Sequence, residues 1–345
     1  MTRLFVPEPL PGMPVHPLLA HRYSGGKPWR GVFGEGIPNF FETDAVFADT
    51  VASAGAVLLP HNFSRLDDAA RAYIAAQADR AQAAGIPVFC FAFGDLNDED
   101  DFDPRVRVFR LSVYKSTLGP CDIVTPTTAQ SFNDHVVRPK TDTPLVSFCG
   151  YAGLKTFRQK LAYYLKNTLW EARALIRPVV RARKQGIYWR KSAMRALSRS
   201  ALVRTHFIVR RSFSGAMSTI ELAPEAARAE FVGSIKNSDF VLTPKGDGNY
   251  SNRFLETLSL GRIPVLIDTD TALPLEGVID YSKIMVRVPM QDVKNAPRYI
   301  REFYDPLTDE EWTARQRLAR ETFEKHLRQD AFFRNFFAAL STRHG

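Results

Sequence analysis

Residues 238–289 read SDFVLTPKGDGNYSNRFLETLSLGRIPVLIDTDTALPLEGVIDYSKIMVRVP, which is a strand, a glycine-rich loop and a helix in direct succession. Phe240-Val241-Leu242 has the apolar content of a buried strand. It runs into Pro244-Lys245-Gly246-Asp247-Gly248, and a helix is predicted from near Ser251 to Gly261. This order suits an anion. A helix N-terminus offers unpaired N–H groups and the positive end of its dipole, and glycines such as Gly246 and Gly248 let the backbone approach a phosphate closely. Ser251 fits the N-cap and can also donate its hydroxyl. Lys245 and Arg253 bring cations to the same end, the arginine with a fork that matches phosphate oxygens. Glu256 follows Arg253 by three residues, so both project from one helical face. A carboxylate one turn into such a helix can accept two hydrogen bonds from a ribose diol, or it can simply pair with Arg253 on the surface. The glycine-loop context favours the ligand. Phe254, Leu255 and Leu258 are left to face the core.

Working outward, the same alternation continues. Residues 263–267 and 284–288 read as short buried strands. Thr308 with Glu311 makes a capping box for a late helix, and Phe332, Phe333, Phe336 and Phe337 place an aromatic core face on the last one. Upstream, residues 55–59, 86–93, 106–111 and 122–124 read as strands, and 67–84 as an Ala-rich helix stopped by Gly85. Continuous apolar strands separated by helices imply parallel sheets covered on both faces. The polar, Pro-punctuated residues 138–144 mark the expected boundary, with an N-terminal domain over 1–140 and a C-terminal domain over 141–345 whose last helices pack back. A strand at 145–149 opens the second domain and ends in Gly150-Tyr151-Ala152-Gly153.

The 345 residues suit two such domains, and 45% hydrophobic content can fill a core in each. Charged residues at 24% and a mean hydropathy of −0.20 are those of a water-soluble protein. The apolar run 85–93 is far short of a membrane span, and residues 1–19 lack the apolar core of a signal peptide. Cys90, Cys121 and Cys149 are an odd number without motif spacing, so free thiols in a reducing, cytoplasmic setting are expected. Charge is uneven. Sixteen lysines and arginines stand between Lys155 and Arg211 against Glu171 alone, so this segment is near +15 and the remainder near −6. Such a block can be a solvated helical face, or it can attract an acidic glycan, a lipid-linked diphosphate, an anionic membrane surface or nucleic acid.

The pattern Ser238, Phe240, Leu242, Pro244, Gly246, then Ser251, Arg253, Phe254, Glu256, then Gly261, Ile263-Pro264-Val265, Leu273-Pro274, Asp280-Tyr281-Ser282 and Val286, Val288, Pro289 resembles the exostosin family of glycosyltransferases. Weaker upstream resemblances are Val57-Leu58-Leu59-Pro60, Gly119-Pro120-Cys121-Asp122-Ile123-Val124 and residues 145–150, with Arg158 following. The resemblance implies a GT-B fold, two Rossmann-like α/β domains whose parallel sheets face a central cleft. One departure from the family, the lack of the N-terminal membrane anchor of its animal and plant Golgi members, favours a soluble, bacterial-type enzyme of polysaccharide or cell-surface glycan biosynthesis. The donor would be a UDP- or GDP-sugar, bound as substrate without a cofactor or a metal, and the transfer to a glycan or lipid-linked glycan acceptor would be inverting. Arg253 and Ser251 would contact the diphosphate, Glu256 the ribose, and Gly150 would border the phosphates, with Arg158, Lys245, Gly246 and Gly248 in the same donor site.

An acceptor hydroxyl needs a base. Asp95 follows the strand 86–93, His61 follows the strand ending at Pro60, and Glu35 sits in Gly34-Glu35-Gly36. All three are candidates, with Asp95 preferred. Asp268-Thr269-Asp270 matches a short metal motif of the other large glycosyltransferase fold, but here it follows a GT-B-like helix and strand. Asp95, Asn97, Glu99 and Asp101 imitate the start of a calcium loop, but Asp100 stands where glycine is needed, so a solvated acidic loop is expected. Two other classes stay open: a catalytically silent GT-B scaffold subunit, and a basic nucleic-acid or anionic-surface binder. The basic block carries Tyr163, Tyr164, Trp170, Tyr188 and Trp189 but no recognised nucleic-acid module, so no specific nucleic-acid partner is expected.

Overall fold

The computed structural model describes residues 2–23, 37–95, 101–132, 136–154, 156–210 and 222–342. The chain forms two units. The first holds Met1–Gln130, Ala272–Leu275 and Glu324–Gly345, and the second holds Ser131–Thr271 and Glu276–Phe323.

In the first unit, β1 (Arg3–Phe5), α1 (Phe40–Thr43), β2 (Val46–Phe47), β3 (Ala56–Asn62), α2 (Asp68–Ala83), β4 (Val88–Ala92), β5 (Val106–Arg110) and β6 (Asp122–Val124) build one sheet in the order β2-β1-β3-β4-β5-β6. Every pairing is parallel. The alternation of β3 explains why both faces are covered. Leu58 joins Phe89, Phe91 and Phe109 on one side with the late phenylalanines, while Val57 and Leu59 join Ile74, Ala78 and Cys90 under α2 on the other. Asp67 caps α2 by accepting from the Ala70 N–H at 2.8 Å.

The second unit runs β7 (Leu145–Tyr151), α3 (Phe157–Ala174), α4 (Gly186–Ser198), β8 (Arg204–Arg210), α5 (Pro224–Lys236), β9 (Phe240–Leu242), α6 (Asn252–Ser259), β10 (Ile263–Asp268), β11 (Val286–Pro289), α7 (Ala296–Tyr304) and α8 (Asp309–Thr322). Its sheet order is β11-β10-β9-β7-β8, again with parallel pairings. Thr308 and Glu311 form the expected capping box at α8. The chain then returns to the first unit through α9 (Gln329–Thr342), where Phe332, Phe333 and Phe337 are buried. Both units are thus parallel α/β sheets, as the resemblance to a GT-B protein implied.

The division between units falls at 130/131, ahead of the polar segment 138–144. Side chains explain this. The Arg138 N–H donates to Gln316 Oε1 at 2.9 Å, and its guanidinium to Asp239 at 3.1 Å. Arg262, 2% exposed, donates to Val136 O at 2.6 Å. Residues 136–144 are thereby tied to the second unit, a long-range linkage that local composition does not display.

Counted from β7, the second sheet has the doubly wound order 2-1-3-4-5. The strand order reverses between β7 and β9, and ligands of such sheets bind beyond the carboxyl ends of the strands at that reversal.

Candidate functional site

The carboxyl ends of β7 and β9 carry the glycine loop and α6. Gly150, in β7, has φ +153°. A Cβ there would lie 2.7 Å from Nη2 of Arg253, so the absence of a side chain is what admits this arginine to the strand end. Arg253 projects from the first turn of α6 and donates from Nη2 to Cys149 O at 2.9 Å. Its guanidinium stacks over Phe148, 4.5 Å from the ring centroid. Its Nε, buried, has no hydrogen-bond partner among the described residues.

A second arginine meets it there. Arg190, in α4, donates to Tyr151 O at 2.9 Å and to Lys245 O at 3.3 Å, and its buried Nε also has no partner among the described residues. Burial lowers both guanidinium pKa values. Arg253 is pushed down to about 10, first by burial and next by the charge of Arg190. Two partly buried like charges with unspent donors cost free energy, and a bound anion would relieve both the repulsion and the missing hydrogen bonds.

The loop after β9 is held in place from two sides. Asn249 donates to Thr269 O at 3.1 Å and Asp270 O at 3.2 Å, and accepts from Thr269 Oγ1 at 2.7 Å. On the other side, Gly186 starts α4 against the loop, where a Cβ would sit 2.5 Å from Lys245 O and closer still to Gly246 O. The Gly246 N–H donates to Tyr250 O at 2.8 Å. Gly248 is buried in the same loop, while Asp247 is exposed. Ser251 occupies the N-cap of α6 as expected, yet its side chain makes no capping hydrogen bond.

Lys245 is 3% exposed and donates from Nζ to Ala182 O at 2.8 Å. Burial pushes its pKa down to about 7, with the charge of Arg183 acting the same way and Asp247 opposing. Lysine in the unfolded chain titrates near 10.5, so between about pH 7 and that value the unfolded state holds more protons. The contribution of Lys245 to stability therefore rises with pH across this window. The unfolding free energy of the wild type relative to Lys245→Met is expected to climb by up to about 1.4 kcal/mol per pH unit between pH 7.5 and 9. Denaturant titrations at three pH values check this, and a flat difference would mean that the ammonium group is hydrated.

Glu256 is 5% exposed and accepts from Arg228 Nη1 at 2.6 Å through Oε1. Its other oxygen makes no hydrogen bond among the described residues. The ion pair considered for Arg253 and Glu256 is thus replaced: Glu256 pairs with Arg228 of α5, and Arg253 turns to β7. Arg190 and Arg228 are the residues that sequence reading missed. The only available signal was the basic block itself, since Arg190 is one of its sixteen cations.

Other predicted residues fall elsewhere. Arg158 is exposed near the start of α3 and makes no ion pair or hydrogen bond among the described residues, so the structure does not bring it to Arg253. His61 is fully buried. Its Nε2 accepts from the Leu10 N–H at 2.7 Å, and Nδ1–H donates to Pro14 O at 3.0 Å. Burial also lowers its pKa. With both nitrogens engaged by backbone, this is a structural histidine holding the segment that follows β1. Asp95 is exposed, three residues beyond β4. Glu35 lies outside the described residues, as do Asn97 and Glu99 of the acidic loop. Asp268 accepts from the Thr271 N–H at 2.9 Å and from Arg287 at 3.1 Å, so its carboxylate shapes a turn.

Comparison with known proteins bears on the same region. Residues 176–303 match the model of the Exostosin GT47 domain, a span that contains Arg190, Arg228, the glycine loop and α6 but not the resemblances noted upstream. The Exostosin-1 homolog of Caenorhabditis elegans is 36% identical over 76 residues. That alignment covers 22% of this chain, which spans about one fifth of the relative's length. Among solved structures, a glycosyltransferase from Rickettsia africae aligns over 98% of this chain and 97% of its own at 9% identity with a TM-score of 0.38. An α-glucosyltransferase in complex with UDP and DNA aligns over 99% of each chain at 10% identity with a TM-score of 0.37.

Proposed function

We propose that this chain, whose residues 176–303 match the Exostosin GT47 domain model, is a glycosyltransferase whose second unit binds a nucleoside-diphosphate sugar at the β7/β9 strand reversal. One observation carries the reading: Arg190 and Arg253 converge on the end of β7, both partly buried, each with a buried, unspent Nε–H. A diphosphate supplies the two charges and the acceptor oxygens that this pair lacks. The N-terminus of α6, with the Ser251 hydroxyl beside it, adds N–H donors from the opposite side of the glycine loop. Oε2 of Glu256 accepts from the ribose, while Arg228 fixes the carboxylate through Oε1.

Bond breaking at the anomeric carbon puts negative charge on the departing diphosphate. Arginine donors already fixed in a water-poor site stabilise that charge without reorganising, so the transfer needs no divalent ion. An acceptor oxygen attacks from the face opposite the leaving group, and the product is inverted. The acceptor is a hydroxyl of a glycan or lipid-linked glycan in the making of a surface polysaccharide. Asp95 is the base assigned to remove its proton.

The test is a thermal-shift panel of UDP, GDP and their sugars in the presence of a chelator, on the wild type and on Glu256→Ala. A nucleotide at a hundred times its dissociation constant adds about 2.7 kcal/mol of stability. The variant is expected to lose about 1–3 kcal/mol on its own, because the 2.6 Å charge-assisted bond between Glu256 and Arg228 is removed. Its affinity for the nucleotide is expected to fall by about ten- to a hundredfold through the lost ribose bonds. No shift with any nucleotide would sink the donor site. Binding without transfer to any acceptor would instead make the chain a silent scaffold.

A further inference from the structure

The helix α3 is turned the wrong way round for a water-facing surface. It packs inward through Tyr163, Asn167 and Ala174, which are buried, with Trp170 half-buried between them. At 3.6 residues per turn the opposite side of the helix carries Phe157, Leu161, Leu165 and Leu169, spaced by four. Their exposures are 79%, 48%, 63% and 51%, and Leu175 and Ile176 just beyond the helix end are 82% and 86% exposed. An apolar stripe of this length, left open along one element, marks an interaction surface. The cations around it are exposed too. Arg158, Lys160, Lys166, Arg173 and Arg177 flank the stripe, and Glu171 is the one acid of the block. Glu171 is spent internally on Arg181 at 2.7 Å and on Lys184.

Apolar outer face, basic flanks and no free acid are the make-up of a helix that lies in a lipid–water interface. We propose that α3 docks this protein on an anionic bilayer surface, with the leucine stripe seated among the acyl chains and the flanking cations on the phosphate headgroups. Charge decides between occupants. A second copy of this chain would bring its own +15 segment against this one, whereas anionic lipid neutralises it. The helix is also linked to the strand-end site. Glu171 of α3 grips Arg181 and Lys184, and between them Ala182 O accepts from Lys245 of the glycine loop. A bilayer-bound α3 would therefore hold the glycine loop near the membrane surface, where a lipid-linked acceptor resides. The docking itself does not depend on the donor reading.

The experiment is flotation of the full chain with phosphatidylcholine vesicles, with and without phosphatidylglycerol. The wild type is expected to float with the anionic vesicles only. A variant carrying Leu161→Ser, Leu165→Ser and Leu169→Ser keeps its folding, because these side chains are exposed, and is expected to lose vesicle partitioning by about a hundredfold or more. Circular dichroism checks the fold, and the nucleotide-induced thermal shift, read on the same samples, reports the donor site separately. A wild type that stays in the bottom fraction overturns the proposal. So does a triple variant that floats as well as the wild type, since charge alone would then hold the protein. A wild-type dimer in size-exclusion chromatography that the triple variant abolishes would assign the stripe to a second copy instead.

Discussion

Arg253→Ala is expected to abolish the thermal shift given by the best nucleotide while leaving the unliganded melting temperature unchanged or slightly higher. The two effects have one cause. In the unliganded protein, Arg253 is partly buried beside Arg190, and both burial and that neighbour pull its pKa down to about 10. It is still charged at neutral pH, so it is held in place at a cost. Removing it relieves repulsion and leaves only Cys149 O without its 2.9 Å partner. With a diphosphate bound, the same guanidinium supplies charge-assisted bonds of about 1.5–3 kcal/mol each. Losing two of them weakens binding by about a hundredfold to more than a thousandfold. Arg253→Lys keeps the charge but not the fork or the stacking on Phe148, so it should recover little of the affinity. Isothermal titration of wild type and both variants decides the matter. Full-strength binding by Arg253→Ala would place the phosphates elsewhere.

The second large effect is expected at a residue with no functional group. In Gly186→Val the new Cβ falls on backbone, the carbonyl oxygens of Lys245 and Gly246. A backbone atom cannot rotate aside as a side-chain tip can, so either α4 or the glycine loop must withdraw. Overpacking of this kind costs about 1–3 kcal/mol or more. The displacement also falls on the segment that carries Lys245, and it shifts Arg190, four residues along α4. Nucleotide binding should therefore fall by at least about tenfold beyond what the stability loss explains. Gly233→Ala is the control. It lies inside α5 with nothing within 4 Å of its Cβ, and should stabilise the protein by about 0.5–1 kcal/mol with binding unchanged. Equal binding by Gly186→Val and wild type would show that the loop contact is incidental.

Much of this molecule is legible without coordinates because it is local. A run such as residues 86–93, apolar throughout, cannot be exposed, and β4 (Val88–Ala92) is buried at every position. The caps at Asp67 and Thr308 and the strand–glycine–helix order around Gly246 involve residues a few positions apart, so spacing alone displays them. β1 and β2 were missed because three and two residues are too few to show a period.

The site divides along the same line. Sequence by itself determined that Lys245, Ser251, Arg253 and Glu256 stand around a glycine loop at a helix start. Only the tertiary structure decided what each charge meets. A guanidinium reaches far from its backbone, and its partner is set by which strands and helices come together. So Arg190 leaves the basic block to join Arg253, Glu256 takes Arg228 rather than its helical neighbour, Arg158 remains in solvent, and His61, correctly placed at a strand end, has both nitrogens occupied by the backbone that follows β1.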